Sequence, residues 1–146
     1  MKKQDIRCSY CVYSSYLFAT NTLAALYMHN YIYALLFCML TITSIIHHTI
    51  QNKYTSIIDR IAVYSVMFYG GYVFYHNIMN NFNTIDIFTL IKYILIISTF
   101  LVVVYLYLVG YLTEKFSFDI NKDRAELSHC LLHAYGSIGH HIIIGL

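Results

Sequence analysis

The stretch YILIISTFLVVVYLYLVGYLT, residues 93–113, contains no Lys, Arg, Asp or Glu. A helix needs about 20 mostly apolar residues to cross the hydrocarbon core of a bilayer, and this stretch is long enough. Backbone polar groups in lipid must be satisfied within their own segment, which favours a helix over an isolated strand. The stretch therefore predicts a transmembrane helix.

The rest of the chain has a similar character. Of its 146 residues, 59% are hydrophobic and only 11% are charged, and proline is absent, which is far from the composition of a usual soluble domain. Charged residues are also missing from residues 8–52, 61–85 and 127–146. The first window is long enough for two spans, with MHNY at 28–31 as the hairpin. We therefore predict an all-α, polytopic transmembrane bundle of about five helices, forming one domain over residues 1–146.

The five predicted helices are Cys11–Tyr27, Tyr31–Thr49, Ile57–His76, Ile87–Leu112 and Ala125–Gly145. The first is short and polar around YSSY, so a position within the membrane interface is an open alternative for it.

Basic residues predict the orientation of the bundle. They form three groups that five spans place on one face, and the connections MHNY and HNIMNNFNTID on the other face contain none. The groups are Lys2, Lys3 and Arg7; Lys53 and Arg60; and Lys115, Lys122 and Arg124. The positive-inside rule then places the N-terminus in the cytoplasm and the C-terminus outside. Lys92 is the one discordant residue, and its side chain can snorkel to the interface.

Polar groups from three predicted helices lie at one depth. His48 ends the second helix, Asp59 opens the third, and His129 and His133 open the fifth, all near the cytoplasmic face. Ionisable groups inside a membrane are costly, so a functional role is the default hypothesis for them.

A metal site is one interpretation of this convergence. His129 and His133 are four residues apart and project from one helix face, as two ligands of one ion must. A third imidazole from the second helix leaves one position open for water, which is typical of catalytic zinc. Neutral histidines also hydrogen-bond between membrane helices without metal, and that interpretation stays open.

His47 and His48 compete for the third position. Side chains of helical neighbours diverge by about 100°, so only one of them can readily face the pair on the fifth helix. The spacing to Ser44 and Asp59 favours His48. Asp59 is then a candidate general base, and Ser44 lies one turn before His48 on the same face.

His140 and His141 lie about 10 Å or more beyond His133 along the helix axis. This separation is too large for a shared ion. Packing, a second polar site and contact with a substrate headgroup are the alternatives for them.

These residues resemble the signature of the CREST superfamily of membrane hydrolases, which includes alkaline ceramidases, progestin and adiponectin receptors and Per1 proteins. SIIHH supplies the Ser-xxx-His spacing of Ser44 and His48, and DR supplies Asp59 eleven residues later. HCLLH supplies the final HxxxH pair, His129 and His133.

The resemblance implies a zinc ion held by His48, His129 and His133, and a water positioned by Asp59 and Ser44. It further implies hydrolysis of an amide or ester in a sphingolipid or related acyl lipid. The expected partners are the lipid bilayer and a membrane lipid substrate, and no nucleic acid.

The chain departs from this family in length. CREST proteins have seven transmembrane helices, whereas this chain accommodates five, so it resembles a reduced CREST fold. The missing pair falls between Asp59 and His129 and would form much of the substrate pocket's wall. The chain then either forms a homo-oligomer that rebuilds the wall or has lost activity. Two other functions stay open: a receptor-like or degenerate multi-pass protein without catalysis, and a haem-binding bundle with histidine axial ligands.

Overall fold

The computed structural model describes residues 9–146, without the side chains of Ser9 and Asn83. This part of the chain forms five long helices and no strand, which confirms the all-α class. The helices are α1 (Ser9–Tyr27), α2 (Tyr31–Ile50), α3 (Lys53–Asn81), α4 (Ile87–Val104) and α5 (Lys122–Ile144). A π-helical segment, Tyr105–Val109, and one turn, Gly110–Thr113, continue α4, and short 3₁₀ turns occupy Phe82–Thr84 and Phe116–Phe118. The basic group Lys2, Lys3 and Arg7 lies outside the described residues.

The start of α3 differs from the prediction by four residues. Asn52 and Thr55 form a capping box, in which the Asn52 side chain accepts from the Thr55 backbone N–H at 2.8 Å. Such a box satisfies N–H groups that a helix start otherwise leaves unpaired. Asp59 therefore lies nearly two turns inside α3 and does not open it. The end of α3 likewise extends five residues beyond the predicted His76, to Asn81.

The predicted hairpin between the first two helices is confirmed. Residues 28–30 form the turn, where His29 adopts a left-handed backbone conformation with a φ of 56°. The Asn30 side chain then caps α2 by accepting from the backbone N–H of Tyr33 at 3.2 Å.

Three of the helical segments are long and apolar enough to cross a membrane, judged by length and composition. They are Tyr31–Ile50, Lys53–Asn81 and Ile87–Phe118. Among the residues described, α1 and α5 do not meet this criterion, because YSSY in α1 and the histidines of α5 lower their hydropathy. The count of five spans therefore stays a prediction for the first and last helices.

Helix α1 packs against both α2 and α5, α2 also packs against α3, and α4 packs against α5. The buried face of α1 contains Ser15, Asn21 and Ala25, all with 0% exposure. Asn21 donates to the Ser137 carbonyl at 2.9 Å and accepts from the Ser137 hydroxyl at 2.5 Å. Small and polar residues allow close helix approach and satisfy each other's hydrogen bonds in an apolar surrounding. The polar sequence of α1 thus forms the contact that sets the spacing of α2 and α5.

Candidate metal centre

Three histidines from two helices meet at one end of the bundle. His48 lies in the last turn of α2, and His129 and His133 lie in the first half of α5. Their ligand nitrogens all lie within 4.8 Å of one another, and their ring centroids are 4.7–5.3 Å apart. His48 and His133 are buried, with 6% and 8% exposure, and His129 is half-buried. The predicted set is therefore close enough to hold a metal ion.

His48, and not its neighbour His47, completes this cluster. The Nδ1 atom of His47 lies 3.4 Å from the hydroxyl of Thr55, near the start of α3. The divergence of helical neighbours accounts for the difference, because the two rings leave α2 in directions about 100° apart.

The hydrogen bonding of His48 tests whether a metal fits. Its Nε2 atom is buried and has no hydrogen-bond partner among the residues that the structure describes. A buried polar group without a partner costs about 1–3 kcal/mol, and a metal ion is a natural acceptor of a nitrogen lone pair. In tetrahedral zinc sites Zn–N is about 2.0–2.1 Å, so ligand nitrogens lie about 3.3 Å apart. The three imidazoles can reach this separation with small side-chain movements.

Ser14 on α1 orients the imidazole of His133. Its hydroxyl donates to the Cys11 carbonyl at 3.0 Å and also lies 2.8 Å from Nδ1 of His133. In the tautomer of His133 that carries the proton on Nδ1, the Ser14 hydroxyl accepts from this ring while it donates to Cys11. This leaves Nε2 of His133 as the metal-ligating atom, in keeping with the usual pattern in which a ligand histidine donates its other N–H. The Phe18 ring, with its centroid 4.9 Å from that of His133, further restrains the imidazole.

Ser44 and Asp59 lie at the same end of the α2–α3 pair as His48. The Ser44 hydroxyl is buried and lies 2.9 Å from the Ser15 hydroxyl. Asp59 accepts from the Thr43 hydroxyl at 3.2 Å. Each side chain thus hydrogen-bonds a neighbouring hydroxyl, and its predicted role toward a catalytic water stays a prediction.

His140 belongs to a different cluster. Its Nδ1 hydrogen-bonds with the hydroxyl of Tyr33, a residue with no exposed surface, and its ring packs edge-on against Phe37. His141 lies with Nδ1 3.0 Å from the Ser137 carbonyl, one turn earlier in α5. Both of these Nδ1 atoms have protein partners: His140 bonds Tyr33 of α2, whereas His141 bonds a carbonyl of its own helix.

The shape of the three-histidine cluster favours a small ion over haem. Haem uses up to two axial ligands, which approach its iron from opposite faces of a wide planar ring. Here three imidazoles form a compact triangle, with each ring close to the other two. The three histidines are therefore close enough to hold a single small metal ion.

No protein-family model matches the chain, and no match was found among curated proteins or solved structures. Fold and site together describe a helical bundle with three membrane-compatible segments and a histidine cluster that could bind metal. The geometry of this cluster is therefore the main indication of function in the described residues.

Proposed function

We propose that this chain is a zinc-dependent integral-membrane hydrolase that cleaves an amide or ester of a sphingolipid or related acyl lipid. The activity corresponds to that of a reduced, ceramidase-like member of the CREST superfamily. The observation that carries the proposal is the triangle of His48, His129 and His133, in which Nε2 of His48 is buried and has no partner within residues 9–146.

Three imidazole ligands favour a catalytic over a structural site. Structural zinc sites use four protein ligands, whereas catalytic sites use three and keep one position for water or substrate. Zinc bound there polarises a carbonyl and lowers the pKa of a water molecule, so that hydrolysis needs no covalent intermediate.

The chain's own residues have distinct roles in this proposal. His48, His129 and His133 hold the ion, and Ser14 fixes the orientation of His133. Asp59 takes a proton from the attacking water and returns it to the leaving group. In the same step the Ser44 hydroxyl accepts a hydrogen bond from that water.

The proposed topology has five transmembrane helices, with the N-terminus and the metal site at the cytoplasmic face. Three segments with membrane-spanning length and apolarity support it, as do Lys53 at the start of α3 and Lys115 in the α4–α5 connection. A homo-oligomer would complete the wall of the lipid pocket.

Metal analysis of the purified protein is the primary test. We expect about one zinc per chain, because one three-histidine cluster provides one site. His48→Ala, His129→Ala and His133→Ala should each lose the metal, and His47→Ala should retain it. The His47 variant is a matched control because it removes an imidazole from the same turn of α2 but outside the cluster.

Catalysis is tested on the same preparations by measuring fatty acid release from ceramides and phospholipids. Asp59→Ala should retain zinc and lose release, which separates proton transfer from metal binding. A zinc-free wild-type protein would contradict the proposal. A Soret band lost in His133→Ala would instead identify a haem protein, and zinc without release would identify a receptor-like or degenerate chain.

A further inference from the structure

The connection between α4 and α5 is a well-ordered loop on the basic face of the bundle. Glu114 and Phe116 adopt left-handed backbone conformations, with φ of 53° and 55°, on either side of Lys115. Gly110 allows the loop to approach, because a Cβ there would lie 2.8 Å from the carbonyl oxygen of Lys115. Conformations of this kind persist only where the surrounding structure determines them.

Aromatic side chains fix this loop on the end of α4. Phe116 packs against Tyr105 with ring centroids 5.8 Å apart. Phe118 packs edge-on against Tyr107 and Tyr111, each at 5.5 Å. Such aromatic pairs stabilise a contact beyond the effect of the area they bury. The position of Lys115 relative to α5 is therefore set by packing.

A cavity of about 340 Å³ lies between this loop and the first two turns of α5. Its size is within the range of small-molecule sites. It is lined by Lys115, Phe116, Asp119, Arg124, Leu127 and Ser128.

The charges of the lining favour an anion. Lys115 and Arg124 approach the cavity from two different elements, and Asp119 is the only acidic residue among the described residues of the lining. The Asp119 carboxylate already accepts from the backbone N–H of Asn121 at 2.8 Å. The net charge of the lining is thus positive, and the planar fork of an arginine suits the oxygens of a phosphate.

The apolar part of the lining favours a lipid over a soluble anion. Leu127 is 66% exposed beside Phe116, and Leu131, one turn further along α5, is 42% exposed. These leucines continue from the charged end of the cavity along the outer surface of α5. A phosphate between Lys115 and Arg124 could therefore place its acyl chains on this leucine surface.

This cavity is separate from the metal centre. Arg124, Leu127 and Ser128 share one face of α5, and the side chains of His129 and His133 point at least about 100° away from each of them. A lipid in the cavity therefore does not occupy the catalytic position.

The geometry points to a binding site for the phosphate headgroup of an anionic membrane lipid at the α4–α5 loop. The site rests on the proposed membrane insertion, which places the loop at headgroup level, but it does not depend on hydrolase activity. It holds one lipid at the cytoplasmic end of α4 and α5.

Native mass spectrometry of the full chain, released from vesicles of phosphatidylcholine with phosphatidic acid, tests this site. We expect retention of phosphatidic acid over phosphatidylcholine. Lys115→Gln with Arg124→Gln should lower that retention about 10- to 30-fold, since each basic residue near an anionic surface contributes about one tenfold step or less. Lys53→Gln with Lys122→Gln is the matched control, because it removes the same charge from the same face but leaves the lining intact.

Equal losses in the two double variants would overturn the site in favour of a diffuse surface charge. Binding of glycerol 3-phosphate with the affinity of phosphatidic acid would overturn the lipid assignment and identify a soluble phosphate ligand. The measurement is repeated in His133→Ala, which should retain phosphatidic acid like the wild type. A failed hydrolase assay with retained lipid would contradict only the proposed function, and the reverse result would contradict only the lipid site.

Discussion

The hydrogen-bond partners of the imidazoles distinguish the roles of the buried histidines. Nδ1 of His133 bonds Ser14, and Nδ1 of His140 bonds Tyr33. Nε2 of His48, in contrast, is buried and has no partner in the described part of the chain. Since buried polar groups are nearly always paired, this atom is the strongest single indication that the cluster binds a ligand. The metal hypothesis therefore has a basis in hydrogen bonding that is independent of the HxxxH spacing.

Replacing Ser14 tests how His133 is oriented. In Ser14→Ala the Nδ1–H of His133 loses its acceptor, and the ring is free to turn or change tautomer. Loss of such a partner typically lowers metal affinity about 10- to 100-fold. Competition with a chelator of known zinc affinity measures the change, and Ser14→Thr should restore most of the affinity because it keeps the hydroxyl.

Ser98→Ala is the control for this substitution, because Ser98 bonds only a carbonyl of its own helix, that of Ile94 at 2.7 Å. An unchanged zinc affinity in Ser14→Ala would show that His133 binds through Nδ1 or not at all.

The three histidines of the cluster could be predicted from the sequence, but Ser14, which orients His133, could not. His129 and His133 were predictable from their spacing on one helix, and His48 from its spacing to Ser44 and Asp59. Ser14 was not, because it lies 119 residues before its partner and no local pattern relates a serine on α1 to an imidazole on α5. Contacts between distant helices depend on packing angles that periodicity does not determine.

Helix packing around the Tyr33–His140 pair depends on Gly70, one of two adjacent glycines in α3. A Cβ at Gly70 would lie 2.6 Å from both Cε1 of His140 and the Tyr33 hydroxyl, whereas a Cβ at Gly71 would meet nothing within 4 Å. Gly70→Ala should therefore destabilise the fold by about 1–3 kcal/mol through overpacking. Gly71→Ala should stabilise it by about 0.5–1 kcal/mol, as expected for an unhindered helical glycine.

Thermal unfolding of both variants in detergent gives the comparison. If Gly70→Ala unfolds at or above the wild-type temperature, then α3 does not contact the Tyr33–His140 pair closely. Zinc content should be unchanged in both variants, because this pair lies outside the metal centre.

The ends of the elements show where local sequence signals were insufficient. The capping box of α3 uses Thr55, whereas Glu or Gln is the more common residue at this position. The predicted helix therefore began at the first apolar run, four residues after the observed start. Because of the polar residues Ser14 and Ser15, a position in the membrane interface was an alternative for α1. In the structure they face His133 and Ser44. The polar residues of α1 therefore contact polar side chains of other helices.

At the scale of the molecule, α2 and α5 are held together indirectly. Within residues 9–146 their backbones make no close approach, and α1 packs against both. Direct contact between them comes from long side chains, including His48 with His129 and His133 at one end and Tyr33 with His140 further along. An ion in the three-histidine cluster would therefore add a bond between two helices that otherwise meet through side chains and through α1.

Zinc removal should for this reason lower the stability of the whole bundle. A ligand that binds only the folded state stabilises it by about 2.7 kcal/mol at a concentration of 100 times Kd, so chelation should lower the unfolding temperature by several degrees. The shift should be absent in His133→Ala, which lacks a ligand. The shift should persist in His140→Ala. This variant starts from a lower stability because it lacks the Tyr33 bond, but its three-histidine cluster is intact.

Equal shifts in all three proteins would mean that zinc acts elsewhere. No shift in the wild type would mean that metal binding does not contribute to the association of α2 with α5. Acidification provides a second means of removal, because protons compete with zinc for imidazole nitrogens. The zinc-dependent part of the stability should therefore be present at neutral pH and lost as the pH falls.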